Sequence, residues 1–279
     1  MAGIKIVTDS SACLSMAYCQ EHDIAVMQLS YTFEGETAHE GAPEEWDGFY
    51  KRFAASEDFP KTSQAGMHGF LHAFEQALGE EGYDSVICMT ITSGVSGTYQ
   101  SAQTAADMVD PERIHVINSK GGGSSLKMLV LDTVERIGQG MDVQRVVELA
   151  QRDVAQLRYQ FTPGSLEYLR RGGRISAAMA LLGGALKILP LIELVDGEMT
   201  VAERIRGGQR KVVDRMIARL PERVRQIGIS HVLAMDLARD VEKKLHEKYP
   251  NASIRIDQMN PVIGCHLGPG ALGIAALCE

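Results

Sequence analysis

The sequence is poor in the residues that mark secreted and disulfide-rich proteins. Its 279 residues include five Cys, one Trp and nine Pro. The cysteines are odd in number and form no C-x-x-C pair, so neither a disulfide framework nor a zinc site is predicted. No secretory signal precedes the first predicted strand, and we therefore expect a cytoplasmic protein with reduced thiols.

Long apolar runs and an excess of positive charge are also lacking. The most apolar stretch, residues 177–186, ends at Lys187 after about ten uncharged residues, whereas a membrane-spanning helix needs roughly 20. Lys and Arg number 28 against 36 Asp and Glu, which gives a net charge of −8. We therefore expect neither an integral membrane protein nor a nucleic-acid-binding protein that relies on phosphate attraction.

The first half of the chain alternates short apolar strands with amphipathic helices. This rhythm predicts an N-terminal α/β domain, residues 1–157, built on a doubly wound, mostly parallel sheet. The predicted strands are residues 4–8, 25–33, 85–91 and 113–118, and the predicted helices are residues 45–55, 67–78, 100–108, 125–137 and 143–157. Polar residues lie at the carboxyl ends of three of these strands, at Asp9, Thr92 and Asn118. We expect a ligand site there, because such sheets bind ligands at the carboxyl ends of their strands.

The second half predicts a smaller α+β domain, residues 158–279. Asp196-Gly197 separates two apolar segments, 187–195 and 199–205, and is a strong signal for a β-hairpin. Helices are predicted at residues 208–220 and 239–248, and strands at 226–234 and 252–258. No Pro- or Ser-rich linker marks the boundary near residue 157.

Motifs for nucleotides and metals are weak. Residues 268–273 match G-x-G-x-x-G, but only six residues follow, too few for the helix and strand of a dinucleotide site. No phosphate-binding G-x-x-x-x-G-K-[ST] loop occurs. His68 and His72 share a helix face but lack the acidic residue of a zinc protease, so a surface pair is favoured. We expect no cofactor and no metal.

Hydroxyl-rich turns are the better candidates for a site. The turn at residues 92–98 follows a buried strand and precedes a helix, so it is either an anion-binding cradle, a simple turn, or a nucleophile turn that lacks G-x-S-x-G. Thr62 and Ser63 precede another helix, either as an ordinary cap or to share an anionic group with Ser93. His266 lies between glycines, which permits either a capped turn or close approach to a ligand.

Positive charge is concentrated between residues 158 and 215, where ten Lys and Arg face six Asp and Glu. The two basic motifs include Arg174 in the first and Arg204 and Arg206 in the second. Such a cluster is either a solvated face or a surface for an acidic or phosphate-bearing partner.

Taken in order, these motifs resemble the DegV family, bacterial fatty-acid-binding proteins that partner a fatty acid kinase. The resemblance covers essentially the whole chain and rests on five segments: 8–11 (TDSS), 62–64 (TSQ), 93–102 (SGVSGTYQSA), 166–176 (LEYLRRGGRIS) and 266–270 (HLGPG). Ala65 stands where the family usually has proline. Asn118 replaces an aspartate, and Cys265 replaces a threonine.

The resemblance implies a non-enzymatic lipid-binding subunit with two α/β domains and a buried long-chain fatty acid. The implied fatty-acid-binding residues are Thr62, Ser63, Ser93, Gly94, Ser96 and His266, with Thr62 and Ser93 holding the carboxyl group. Arg174, Arg204 and Arg206 are implied in kinase engagement or phosphoryl transfer. The kinase subunit, a separate chain, would bind ATP and make the acyl phosphate for phospholipid synthesis.

Two other functions remain open at this point. A serine acyl hydrolase would use Ser96 or Ser93 with His266 and Asp9. A sensor of some other amphipathic carboxylate would need no kinase.

Overall fold

The computed structural model describes residues 3–174 and 188–278. The apolar stretch 177–186, Lys187 and the last two residues of the fourth DegV-like segment lie outside these ranges. None of the helices in the described ranges is both long and apolar enough to cross a membrane.

A parallel sheet of four strands forms the first layer, in the order β2-β1-β6-β7. Its strands are β1 (Ile4–Asp9), β2 (Ile24–Met27), β6 (Ser85–Thr90) and β7 (Ile114–Asn118). The strands are short and largely buried, as expected for a sheet covered on both faces. Phe70 and Phe74 of α3 (Met67–Leu78) pack on one face with Ala102 of α4 (Thr98–Val109). The predicted doubly wound α/β fold is confirmed.

A small antiparallel sheet, in the order β4-β3-β5, lies next in the chain. It comprises β3 (Ser30–Phe33), β4 (Glu36–His39) and β5 (Lys61–Ser63), with α1 (Met16–Glu21) before it and α2 (Trp46–Ala55) within it. The prediction of one strand over residues 25–33 is wrong. The Leu29 N–H donates to the Ser10 hydroxyl at 2.9 Å instead of to a strand, and the chain leaves the parallel sheet there.

The second half forms a mixed sheet in the order β10-β9-β8-β13-β11-β12. Its strands are β8 (Leu157–Thr162), β9 (Ile188–Val195), β10 (Glu198–Arg206), β11 (Val224–His231), β12 (Ser253–Gln258) and β13 (Leu272–Cys278). The predicted hairpin joins β9 to β10, and Asp196 and Gly197 have φ values of 51° and 88°, which this tight turn requires. Its helices are α7 (Leu166–Arg171), α8 (Gln209–Arg219), α9 (Met235–Lys248) and α10 (Pro261–Leu267).

Two long helices join the sheets. They are α5 (Ser124–Gly138) and α6 (Val143–Gln156), and α5 contacts β1 and β6 of the first sheet as well as β11 and β13 of the second. One hydrophobic cluster includes Ile87, Leu126 and Ala275, so the core continues from sheet to sheet through α5. The chain enters the second sheet at Leu157, and the division into two domains at that residue stays a prediction.

Candidate ligand-binding site

A cavity of about 720 Å³, counted to its open mouth, lies where the two halves meet. Its walls are mostly apolar, and its aromatic lining residues, Tyr159 and Phe161, lie on β8. The remaining described apolar side chains of the lining are Leu29, Ile91, Val95, Leu169, Leu194, Met199, Val262, Ile263 and Leu267. Such a cavity suits a ligand with a hydrocarbon portion.

Polar groups of the lining include a threonine paired with a histidine. Thr62 lies in the middle of β5 opposite Tyr31 of β3, and His266 lies near the end of α10. The Thr62 Oγ1 and His266 Nε2 atoms are 2.7 Å apart, and both residues line the cavity. Two segments separated by 204 residues therefore meet at one point of the wall.

The surroundings of His266 favour its neutral form. Burial and, to a smaller extent, the positive charge of Arg174 together lower the pKa of His266 to about 4. Its Nδ1 atom is buried and, among the described residues, has no hydrogen-bond partner. Gly172 packs against this atom, since a Cβ on Gly172 would lie 2.1 Å from Nδ1.

The position of the single imidazole proton follows from that environment. A buried N–H without an acceptor is costly, so the proton is favoured on Nε2, which has Thr62 as a partner. His266 then donates to the Thr62 oxygen, and the Thr62 hydroxyl proton is free to be donated to a ligand. The pair offers an uncharged donor to an anionic or polar head group.

Arg174 also lines the cavity, three residues after the end of α7. Its Nη1 donates to the Gly172 carbonyl at 2.8 Å, and its Nε lies 3.3 Å from the Val95 carbonyl. These bonds hold the guanidinium between α7 and the turn at residues 92–98. Arg174 is predicted to contact the partner or the transferred phosphoryl group, and in the structure it lies in the wall of the cavity that also contains Thr62 and His266.

Two further predicted residues, Ser63 and Ser96, line the same cavity. The Ser96 hydroxyl lies 2.9 Å from the Thr98 hydroxyl, which also accepts a bond from the Ala65 N–H at 3.3 Å. A proline at position 65 could not make this bond, because it has no N–H group. The Ser96 turn is thereby tied to the segment that follows β5.

Ser93 and Gly94 are not among the described residues that line the cavity. Ser93 is exposed, and its hydroxyl accepts a bond of 2.7 Å from the Asn118 side-chain amide. Gly94 packs against the β9–β10 turn, because a Cβ there would lie 2.3 Å from the Gly197 carbonyl oxygen. The structure therefore does not place the Ser93 hydroxyl in one pocket with Thr62, and a role for Ser93 stays a prediction.

Arg204 and Arg206 lie two residues apart on β10, on one face of the strand. Both are exposed, while Ile205 between them is buried. Neither arginine is in the described part of the cavity lining. Their position fits the predicted contact with a partner better than a contact with a buried ligand.

Close packing joins two of the sequence motifs. Gly268, at the end of α10, has a φ of 76° and lies under the Tyr168 ring of α7, where a Cβ would come within 2.2 Å. Gly164 packs against the Pro269 carbonyl oxygen, because a Cβ on Gly164 would lie 1.9 Å from that oxygen. The glycines allow α7 and α10 to approach, and this approach sets the positions of Arg174 and His266.

The groups of a serine hydrolase do not assemble among the described residues. Ser96 bonds to Thr98, Ser93 bonds to Asn118, and His266 bonds to Thr62. Asp9 accepts bonds from Ser11 and from the Ile91 N–H at 2.7 Å. Without a serine that donates to a histidine, the activated nucleophile of that mechanism is missing here. Likewise, His68 and His72 join no metal-holding cluster in the ranges that the structure covers.

The model of the DegV family, described as an uncharacterised protein, matches residues 3–279. The chain belongs to the DegV family. A DegV domain-containing protein of Clostridium perfringens is 31% identical over 280 residues, which cover 98% of each chain. The predicted family is therefore confirmed over essentially the whole chain.

Solved DegV structures share the fold. The Bacillus subtilis DegV structure, described as a fatty acid binding protein, matches with a TM-score of 0.88 and 28% identity over 100% of both chains. A stearic acid-binding protein from Eubacterium ventriosum matches with a TM-score of 0.84 and 26% identity over 99% of this chain and 98% of that one. These relatives agree with the prediction of a binding protein rather than an enzyme.

Sequence reasoning missed one buried acidic residue near the site. Glu40 accepts bonds from Ser10, Asn260 and the Val262 N–H. In the sequence it stands in a polar stretch that reads as exposed loop, and its amide partner lies 220 residues away. No local signal distinguishes it from a surface glutamate.

Proposed function

We propose that this protein binds a long-chain fatty acid in the cavity and presents it, in the cytoplasm, to a separate ATP-dependent fatty acid kinase. The observation that carries the proposal is an apolar cavity with the Thr62–His266 pair in its wall. The tail would lie among the apolar side chains, near Tyr159 and Phe161. The carboxyl group would accept a hydrogen bond from Thr62, with Ser63 and Ser96 nearby and Ser93 as a further predicted contact.

The free energy of binding would come mainly from the tail. Burial of a methylene is worth about 0.8 kcal/mol, so fourteen methylenes supply about 11 kcal/mol before the cost of association is subtracted. A carboxylate cannot be buried cheaply without donors. A hydroxyl donor meets this need, and the Arg174 guanidinium is not required for it, because its hydrogen bonds go to the Gly172 and Val95 carbonyls.

A mainly neutral head-group site also suits a later reaction. A carboxylate held by hydroxyl groups keeps its electron density and can attack a phosphoryl group, whereas a tight pair of arginines would reduce its nucleophilicity. The exposed Arg204 and Arg206 would then face the kinase or its phosphate. Acyl phosphate formation would need the ATP site of the other chain.

The ligand is tested by gentle purification from a bacterial host, organic extraction and mass spectrometry. We expect about one fatty acid per chain in the wild-type protein and a strongly reduced amount in Thr62→Ala. Protein that is folded but free of lipid, and that also fails to bind added stearate, would contradict the proposal.

The kinase step needs a separate experiment with loaded protein, a candidate kinase chain and ATP. We expect acyl phosphate with the wild type, and strongly reduced formation with Arg174→Ala or the double variant Arg204→Ala/Arg206→Ala, each of which should retain fatty acid. Fatty acid binding without acyl phosphate from any kinase tested would favour a sensor. Loss of binding in Arg174→Ala would assign that arginine to the head-group site.

A further inference from the structure

The helix that carries His266 is short, and its first turn is completed from elsewhere in the chain. α10 begins at Pro261, and the side chain of its N-cap residue, Asn260, makes no capping bond. The first N–H groups of a helix lack partners inside it. The Val262 N–H instead donates to a carboxylate oxygen of Glu40 at 2.9 Å.

Glu40 connects two walls of the cavity. Its side chain is 4% exposed, and its two oxygens lie 2.7 and 2.6 Å from the Asn260 side-chain nitrogen. It also accepts a bond from the Ser10 hydroxyl, which in turn accepts the Leu29 N–H. Leu29 and Val262 both line the cavity, whereas Glu40 is not among its described lining residues.

Glu40 and Thr62 hold α10 near its two ends. Glu40 follows β4, Thr62 lies in β5, and both strands pair with β3. Glu40 binds the first turn of α10, and Thr62 contacts His266 in the last turn. The Tyr50 hydroxyl adds a bond to the Met259 carbonyl just before the helix. The small sheet therefore positions this helix at both ends.

We propose that Glu40 is a positioning residue for ligand binding, which fixes α10 against the three-stranded sheet so that His266 meets Thr62. Glu40 acts through the helix and does not touch the ligand. The binding readout rests on the proposed function, but the geometry of the Thr62–His266 pair is measurable in the protein without ligand. The proposed function and the positioning role of Glu40 can therefore be disproved separately.

The charge of Glu40 is set by its buried surroundings. Burial raises the pKa of Glu40 to about 7, the hydrogen bonds from Ser10, Val262 and Asn260 act against this shift, and the nearby Asp9 adds a smaller upward effect. Asp9 itself has a pKa raised by burial to about 6. The other titratable groups near Glu40 stay uncharged at neutral pH because burial raises their pKa values: these are Tyr31, Tyr50, Cys13 and Cys265.

The test compares two substitutions at Glu40. Glu40→Ala removes the acceptor of the Val262 N–H, whereas Glu40→Gln keeps one oxygen for it. The new amide lies between Ser10 and Asn260, whose unpartnered Oδ1 atom can turn to accept its hydrogen bond. The exposed Glu36 of β4, which pairs with Arg52, supplies the matched control Glu36→Ala. The readouts are the nitrogen-correlated NMR signal of the His266 imidazole, assigned with His266→Gln, and the affinity for stearate.

We expect Glu40→Ala to lose the signal of the hydrogen-bonded imidazole and to bind stearate about tenfold more weakly, the cost of an unmade buried bond. Glu40→Gln and Glu36→Ala should retain the signal and bind within about twofold of the wild type. A folded Glu40→Ala protein with an unchanged imidazole signal and affinity would overturn the inference. If the wild type binds no stearate, the proposed function fails, and the imidazole signal alone decides the role of Glu40.

A pH series keeps the inference testable should Glu40→Ala fail to fold. The wild-type His266 signal should shift with a midpoint near pH 7 as Glu40 gains its proton, well above the titration of His266 itself. Glu40→Gln should abolish this step, and Asp9→Asn should keep it. If Glu40→Gln keeps a step with the same midpoint, the step does not come from Glu40 and the inference is overturned.

Discussion

Thr62 and Ser93 were predicted to share one anionic head group, yet the structure places them in different environments. Thr62 is half-buried in the cavity wall and contacts His266 at 2.7 Å. Ser93 is exposed and bonds to Asn118 at 2.7 Å. A motif can thus identify residues of one region without determining which of them face the ligand.

The local backbone explains this difference. Thr62 sits in a strand whose pairing with Tyr31 of β3 fixes the direction of its side chain. Ser93 sits in a turn that Gly94 packs against the β9–β10 hairpin. The Asn118 side chain accepts a hydrogen bond from the Ser93 N–H and donates one to the Ser93 hydroxyl. In a turn, side-chain direction depends on such neighbours and not on a regular period.

The largest predicted effect is on Thr62. Thr62→Ala removes the hydroxyl donor and leaves His266 Nε2 without its partner, so we expect fatty acid affinity to fall at least about tenfold. Titration with a fluorescent fatty acid measures the change. The control is Thr37→Ala, which removes an exposed threonine hydroxyl of the same small sheet and should have no effect. Equal affinity for wild type and Thr62→Ala would place the head group elsewhere.

The buried groups at the two ends of α10 give opposite pH dependence. His266 has a lowered pKa, so the folded protein binds fewer protons than the unfolded chain, and its contribution to stability is lost as pH falls from about 6.5 to about 4. Glu40 has a raised pKa, so its contribution is lost as pH rises from about 4.5 to about 7. In the pH range that these two windows share, the contributions of His266 and Glu40 to stability change in opposite directions as pH rises.

Substituting one of the two groups should reveal the pH dependence of stability that the other group contributes. His266→Gln should leave a free energy of unfolding that decreases as pH rises through this range, and Glu40→Gln should leave one that increases, each by at most about 1.4 kcal/mol per pH unit. Denaturant titrations at a series of pH values measure both slopes. If both variants keep the pH dependence of the wild type, neither group titrates as described.

A smaller effect is expected for Ser93. Because its hydroxyl faces Asn118 in the structure, Ser93→Ala should weaken fatty acid binding by about twofold or less if the turn keeps this arrangement. The same fluorescence titration compares it with Thr62→Ala. A loss as large as that of Thr62→Ala would show that the turn at residues 92–98 moves inward when the ligand binds, and would support the role predicted from the sequence.

The smallest effect concerns Arg174 and His266. Burial is the main cause of the low pKa of His266, and the charge of Arg174 is the second. Arg174→Gln should therefore raise this pKa slightly, still well below its ordinary value, in an NMR titration. A return to the ordinary value would mean that His266 is not buried as described.

Regular elements were well predicted from sequence. The apolar run beginning at Ser85 forms a central strand of the parallel sheet, and the helix beginning at Met67 has its predicted bounds. Asp196-Gly197 forms the expected hairpin turn. In these segments a local period or a turn residue decides the structure, so no distant contact is needed.

Elements that depend on distant contacts were missed. The strand β13 was overlooked because its Gly- and Ala-rich sequence has little strand propensity, yet it lies between β8 and β11 in the larger sheet. The helix α10 has only seven residues, and the carboxylate that accepts its Val262 N–H belongs to Glu40, 222 residues away in the chain. The cavity itself was also beyond prediction, since Tyr159 and Phe161 have the same apolar pattern whether they fill a core or line a space.

The most direct test of the account is a crystal structure of the protein loaded with stearate. The account predicts continuous elongated density inside the cavity, with the carboxyl group within hydrogen-bond distance of the Thr62 hydroxyl and the tail against Tyr159 and Phe161. A carboxyl group bound away from Thr62 and His266, or a cavity that holds only water in protein shown to carry the lipid, would contradict it.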